Sequence, residues 1–126
     1  MEKELKYEIE QAVTALAGSI YPTNAPETNT KPCLVYMRTS TELLKAFDGQ
    51  TGKQKASYML SVMAPKYSDM KTLTNSVVTE LLTFTGTSIG LSDTVYIEDL
   101  TINNISETYE FELMVNRGII DFTVFY

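Results

Sequence analysis

Between Lys53 and Met63 the side chains alternate in character, with Ala56, Tyr58, Leu60 and Val62 on one parity and Ser57, Met59, Ser61 and Met63 on the other. A strand sends successive side chains to opposite faces, so this run predicts a strand with one face buried. A half-buried strand needs partners of its own kind and a second layer to cover its apolar face. That requirement sets what the rest of the chain has to supply.

The preceding segment supplies a first partner. From Pro32, the residues Cys33, Val35 and Met37 alternate with Leu34, Tyr36 and Arg38, and β-branched or aromatic residues dominate, which predicts a strand opened by a proline that donates no hydrogen bond. Leu43, Leu44, Ala46 and Phe47 follow, then Asp48-Gly49-Gln50-Thr51-Gly52, whose glycines suit a turn. The two strands are expected to pair antiparallel as a long hairpin arm.

Helices are predicted on both sides of this hairpin. Leu5, Ile9, Ala12, Val13 and Leu16 recur at helical spacing from Glu2 to Ala17, with Glu2 and Glu4 near the positive end of the dipole and Gly18 as terminator. Ser19 to Lys31 has loop composition, interrupted by the bulk of Ile20 and Tyr21. After Pro65, Ser68 is placed as an N-cap, and Met70, Leu73, Val77, Leu81 and Phe84 form a second apolar stripe. Thr and Val lower the intrinsic propensity of this segment, so burial against a sheet has to stabilise it.

Beyond it, Gly86 to Asp93 reads as a polar loop exposing Ile89 and Leu91. Val95–Ile102 and Glu107–Val115 read as strands joined at Asn103-Asn104. Tyr109, Phe111, Leu113 and Val115 are apolar at odd positions, whereas Ile120, Phe122, Val124 and Tyr126 are apolar at even ones. The change of parity around Asn116-Arg117-Gly118 requires a turn or a one-residue bulge, and we favour the bulge, in one long bent strand. The order of elements predicts an α+β fold with two helices packed on one face of a mainly antiparallel sheet of four to five strands, as a single domain over residues 1–126.

Chemistry is conspicuous by what is missing. The 126 residues contain no histidine, which removes the usual base of Ser and Cys hydrolases and most mixed metal sites. Cys33 has no basic neighbour beyond Lys31 and reads as a small apolar strand residue, and a lone cysteine makes no internal disulfide. The glycines open no phosphate loop, and Glu98, Asp99, Glu107, Glu110 and Glu112 read as a solvated sheet face. No catalytic, cofactor-binding or metal-binding residue is assigned, and no enzymatic activity is expected. The formal net charge of −6 comes without a run of Lys or Arg, so sequence-specific nucleic-acid binding is not expected either. Neither a signal-peptide run nor a long uncharged apolar stretch is present, so no membrane crossing or export is expected.

Eight tyrosines, five phenylalanines and six methionines exceed what one small core hides, and Tyr and Met favour interfaces. Leu43, Leu44 and Phe47 on the hairpin arm, and Ile89 and Leu91 in the following loop, are therefore expected to stay apolar for neighbours to cover. Asp121 lies inside an apolar run; it reads as a buried acid paired to Arg117 or Arg38, or, preferentially, as a guard on a sheet edge or an intersubunit contact.

The succession Ala12-Val13-Thr14-Ala15-Leu16, Ile20-Tyr21-Pro22, Ala25-Pro26, Pro32 with Leu34-Val35-Tyr36, the Asp48-Gly49 turn, Tyr67 and the closing Asp121-Phe122-Thr123-Val124-Phe125-Tyr126 resembles the tail completion, or tail terminator, proteins of long-tailed bacteriophages. The resemblance spans nearly the whole chain. It implies a subunit that closes with copies of itself into a ring, a hexamer, at the head-proximal end of the tail tube. Such a ring ends tube polymerisation, offers the head connector protein its joining surface, and leaves a channel through which DNA passes without specific binding. An acidic lumen that repels phosphates suits that passage. The implied location is the head-tail junction of a virion assembled in the bacterial host cytoplasm, with no cofactor. Two features depart from the family pattern, the Asn116-Arg117-Gly118 step and the unusually apolar Leu43-Leu44-Lys45-Ala46-Phe47 segment. The alternatives are another neck component, a head-closure or adaptor protein, or a small-ligand-binding α+β domain.

Overall fold

The alternating run folds as expected. In the computed structural model, which describes residues 2–16, 18–22, 32–46, 49–92, 95–111 and 114–126, Ala56, Tyr58, Leu60, Val62 and Ala64 are all buried along one face of a long strand. That strand, β3 (Gly49–Ala64), pairs antiparallel with β2 (Cys33–Ala46) on one side and with β7 (Val115–Phe125) on the other. β1 (Ile20–Pro22) adds in parallel to β2, and β6 (Asp99–Glu110) adds antiparallel to β7, giving the order β1-β2-β3-β7-β6. β4 (Thr87–Ile89) and β5 (Val95–Ile97) form a separate two-stranded ladder. Helices α1 (Glu2–Ala12) and α2 (Tyr67–Leu82) bury Leu5 and Ile9, and Leu73, Val77 and Leu81, in the same core as β3. The architecture is α+β, and among the described residues parallel pairing is confined to the short edge strand β1.

Several local expectations are corrected. α1 stops at Ala12 and continues as a tight 3-10 turn over Thr14–Leu16, in which the Leu16 amide donates to the Val13 carbonyl. Gly18, with φ of 78°, then ends the segment as predicted. Ile20 and Tyr21 belong to β1 and not to a loop. α2 has Lys66 at its N-cap in extended conformation with no side-chain cap, and Ser68 falls within the first turn. The ladder brings Ala46 opposite Gly49, so Gly49 and Gly52 lie within β3; Phe47 and Asp48 lie outside the described residues.

The parity change turns out to have two origins, neither at Asn116-Arg117-Gly118. β6 is continuous through Asn103-Asn104 and carries a register shift there, between Ile102 and Asn104. This bulge moves Ile105, Glu107 and Tyr109 onto the face that Leu100 and Ile102 occupied before it. A turn after Glu110 then separates β6 from β7, and β7 keeps unbroken register with β3 from Asn116 to Phe125. The bent-strand reading is therefore wrong and its alternative, a turn, is right, placed a few residues earlier.

Gly118 has a different role. It lies under α2, where a Cβ would collide with Thr74 Oγ1 and stand 3.0 Å from Met70 Sδ. Thr74 is β-branched, helical and buried, so it has little freedom to yield. Gly118→Ala should cost about 1–3 kcal/mol by overpacking, and Thr74→Ala in the same chain should recover most of that loss, as measured by urea unfolding.

Candidate interaction surfaces

The sheet presents its features at two opposite ends. At one end the hairpin of β2 and β3 runs past its described neighbours: among the described residues β1 pairs as far as Tyr36, and β7 with β3 as far as Lys55. Beyond Gln54, which exchanges backbone hydrogen bonds with Tyr126, the pairing is that of β2 and β3 with each other. The expected arm exists. Leu43 is exposed on it; Phe47 lies outside the described residues, as does the side chain of Leu44.

At the other end the β6–β7 hairpin carries Tyr109, Phe111 and Met114, with Phe111 84% and Met114 70% exposed. Tyr109 and Phe111 contact edge to face at 5.1 Å, and Met114 sits at φ of 55°, a left-handed conformation uncommon for such a side chain. Tyr67, at the start of α2, is exposed near the same end. This apolar tip was missed in the sequence because Tyr109 and Phe111 fit a strand alternation. The usable signal was their isolation among Glu107, Glu110 and Glu112, which is poor composition for a strand face that enters a core.

Ile89 and Leu91, expected to be exposed together, part company. Leu91 is 78% exposed, whereas Ile89 is 2% exposed and joins the core together with Ile97; in the β4–β5 ladder Ile89 pairs with Val95 and Ile97 with Thr87. A three-residue strand is too short to show a period in the sequence, so the expectation for Ile89 was incorrect. Asp121 is half-buried on β7, between Met59 of β3 and Asn104 of β6. β7 is an interior strand, so Asp121 guards no sheet edge. Arg38 lies on the opposite face of the sheet, and Arg117 is bonded to Glu110 and Ser61.

Both long flanks of the sheet offer unpaired backbone. Among the described residues β6 has β7 on one side only, and β2 beyond Tyr36 has β3 on one side only. Such edges accept another extended chain. The β6 side is acidic: from Thr72 to Asn116 the sequence has no Lys or Arg, and Glu98, Asp99, Glu107 and Glu110 lie on or beside β6. In-chain pairs offset part of that charge, Lys53 with Glu98, Lys71 with Glu107 and Arg117 with Glu110, each at 3.1 Å. Exposed pairs of this kind contribute little to stability.

Among the described residues no group of His, Cys, Asp and Glu could hold a metal. A shallow groove of about 470 Å³ between α1 and α2 is lined by Ala12, Thr72, Asn75, Ser76, Thr79 and Glu80. It offers hydroxyls and one carboxylate. Burial pushes the Glu80 carboxyl above its ordinary value near 4.5, and the charge on Glu8 adds to the effect. Glu8 also accepts a hydrogen bond from the Gly90 amide at 3.0 Å. Among the described residues no helix is long and apolar enough to cross a membrane.

A carboxyl raised on folding favours the folded state when protonated and loses that contribution as pH rises through its folded value. Glu80→Gln should therefore raise Tm at neutral pH, and the gain should shrink as the pH falls through the 4.5 region, in thermal melts across that range. Ile89→Asp, which buries an unpaired charge, should lower stability by about 3 kcal/mol or more, whereas Leu91→Asp should shift it by no more than about 0.5 kcal/mol.

No family model matches the sequence, and no curated protein matches it. Among solved structures the fold is similar to a chain from the virion of a native gene transfer agent particle, with a TM-score of 0.57 and 14% identity, covering 96% of this chain and 92% of that one.

Proposed function

We propose that the chain is a structural subunit of a phage-like virion, and that it closes into a ring at the head-proximal end of a tail tube. There it ends tube polymerisation and presents the head-tail joining surface. The observation that carries this reading is the correspondence of fold over nearly both full lengths with a chain of a gene transfer agent virion. The sequence resemblance to tail completion proteins, drawn from other evidence, leads to the same class.

The molecule is shaped for such work. An arm at one end of the sheet and an exposed aromatic tip at the other give a subunit two separate places to grip neighbours, while the flanks offer strand edges. A head-to-tail contact between unlike surfaces closes a ring when its rotation closes. On this reading the protein is no enzyme; its partners are copies of itself, tail tube protein and the head connector, at the head-tail junction.

Light scattering of the chain alone and mixed with tail tube protein tests the reading. A ring-sized species, or a smaller species that caps tubes at one end, is the expected result. A species indifferent to tubes but bound to the portal side indicates a head-closure or adaptor protein instead, and one indifferent to both overturns the proposal. Phe111→Asp with Met114→Asp should abolish assembly and leave the far-UV spectrum and Tm essentially unchanged, since both side chains are exposed already.

A further inference from the structure

Arg38 is a charge on the core parity of β2, sharing its face with Leu34 and Tyr36. It lies at the root of the arm. Immediately after it the β2–β3 register shifts, so that Arg38 faces Tyr58 and Ser40 faces Ser57, with Thr39 inserted as a bulge. A second irregularity falls between Leu43 and Lys45. Bulges bend a strand and interrupt its ladder, so β2 enters the arm through an irregular step.

The Arg38 guanidinium spans that point. Its Nε lies 2.7 Å from Glu2 Oε1 at the start of α1 and donates to the Tyr58 hydroxyl at 3.0 Å. Nη2 donates to the hydroxyls of Tyr58 and Tyr126 at 2.6 and 2.7 Å. Nη1 donates across the bulge to Thr41 Oγ1 at 3.1 Å. Tyr58 in turn donates to Glu2 at 3.0 Å, and Tyr126 to Gln54 Oε1 at 3.0 Å. One planar fork thus ties α1, both strands of the arm's root and β7's last neighbour together. Tyr58 is fully buried and stacks on Phe122 at 5.5 Å, so the anchor belongs to the core.

We propose that Arg38 is a positioning residue, a clasp that sets the angle of the arm against the body and couples it to the start of α1. A guanidinium can hold these acceptors at once because its five N–H groups diverge in one plane; an ammonium cannot. The clasp rests on this geometry, and only its bearing on assembly rests on the proposed function.

Amide hydrogen exchange of the full chain, read by mass spectrometry, tests it with Arg38→Lys and Tyr126→Phe. Tyr126→Phe keeps the ring and removes only the hydroxyl that joins Arg38 to Gln54, so it folds even if the lysine variant does not. The expected result is about tenfold faster exchange in residues 39–54, with α2 and the buried part of β3 unchanged. Unchanged exchange in the arm overturns the proposal, as does an equal rise throughout the chain, which would make Arg38 a general stabiliser. A loosened arm with tube capping intact upholds the clasp and removes the arm from the assembly reading, so the two fail separately.

Discussion

Much of this structure depends on α2 lying close against the centre of the sheet. The approach is possible because β7 carries no side chain at Gly118, where Thr74 and Met70 descend. With α2 in place, Leu73, Val77 and Leu81 cover the even-numbered residues of β3 and β7, and α1 and the β4–β5 ladder close the remaining sides with Leu5, Ile9, Ile89 and Ile97. Interiors pack at crystal-like density, so an added methyl at that crossing has nowhere to go.

A core covered from one side only leaves the rest of the sheet for other purposes. The opposite face carries Met37, Met59, Met63, Ile119 and Phe125 among polar residues, with Ser57, Thr123 and Asn103 linked in a short hydrogen-bonded row. The strands run past the covered region at both ends, as arm and as tip. The core lies in the middle of the sheet, while Leu43 in the arm and Tyr109, Phe111 and Met114 in the tip are exposed apolar groups at its ends.

How far the sequence could be read follows from how many residues each signal spans. The alternation in β3 and the stripe of α2 extend over several periods, and both were legible with their buried residues correct. β4 and β5 have three residues each, too few for any period, so no local pattern marks Ile89 as buried. The bulge at Asn103 moves the core face of β6 to odd numbers and the turn after Glu110 returns it to even numbers in β7; the second change is the one visible as a switch of apolar parity, a few residues before Asn116-Arg117-Gly118. Arg38 was legible in principle: a charge in step with Leu34 and Tyr36 has to find partners on the core face. Which partners it finds was not, since Glu2, Tyr58 and Tyr126 are distant in the chain.

By itself the sequence determined the class of fold, the central strands, the core face of α2 and the absence of histidine chemistry, because these rest on local period and on composition. Tertiary structure alone decided that β7 is interior, that Asp121 therefore guards no edge, that Gly118 serves helix packing, and that Arg38 ties the arm to the body. These are properties of pairs far apart in the chain. Strand order and close approach are settled by which surfaces fill one another, and no periodicity within a single segment encodes that.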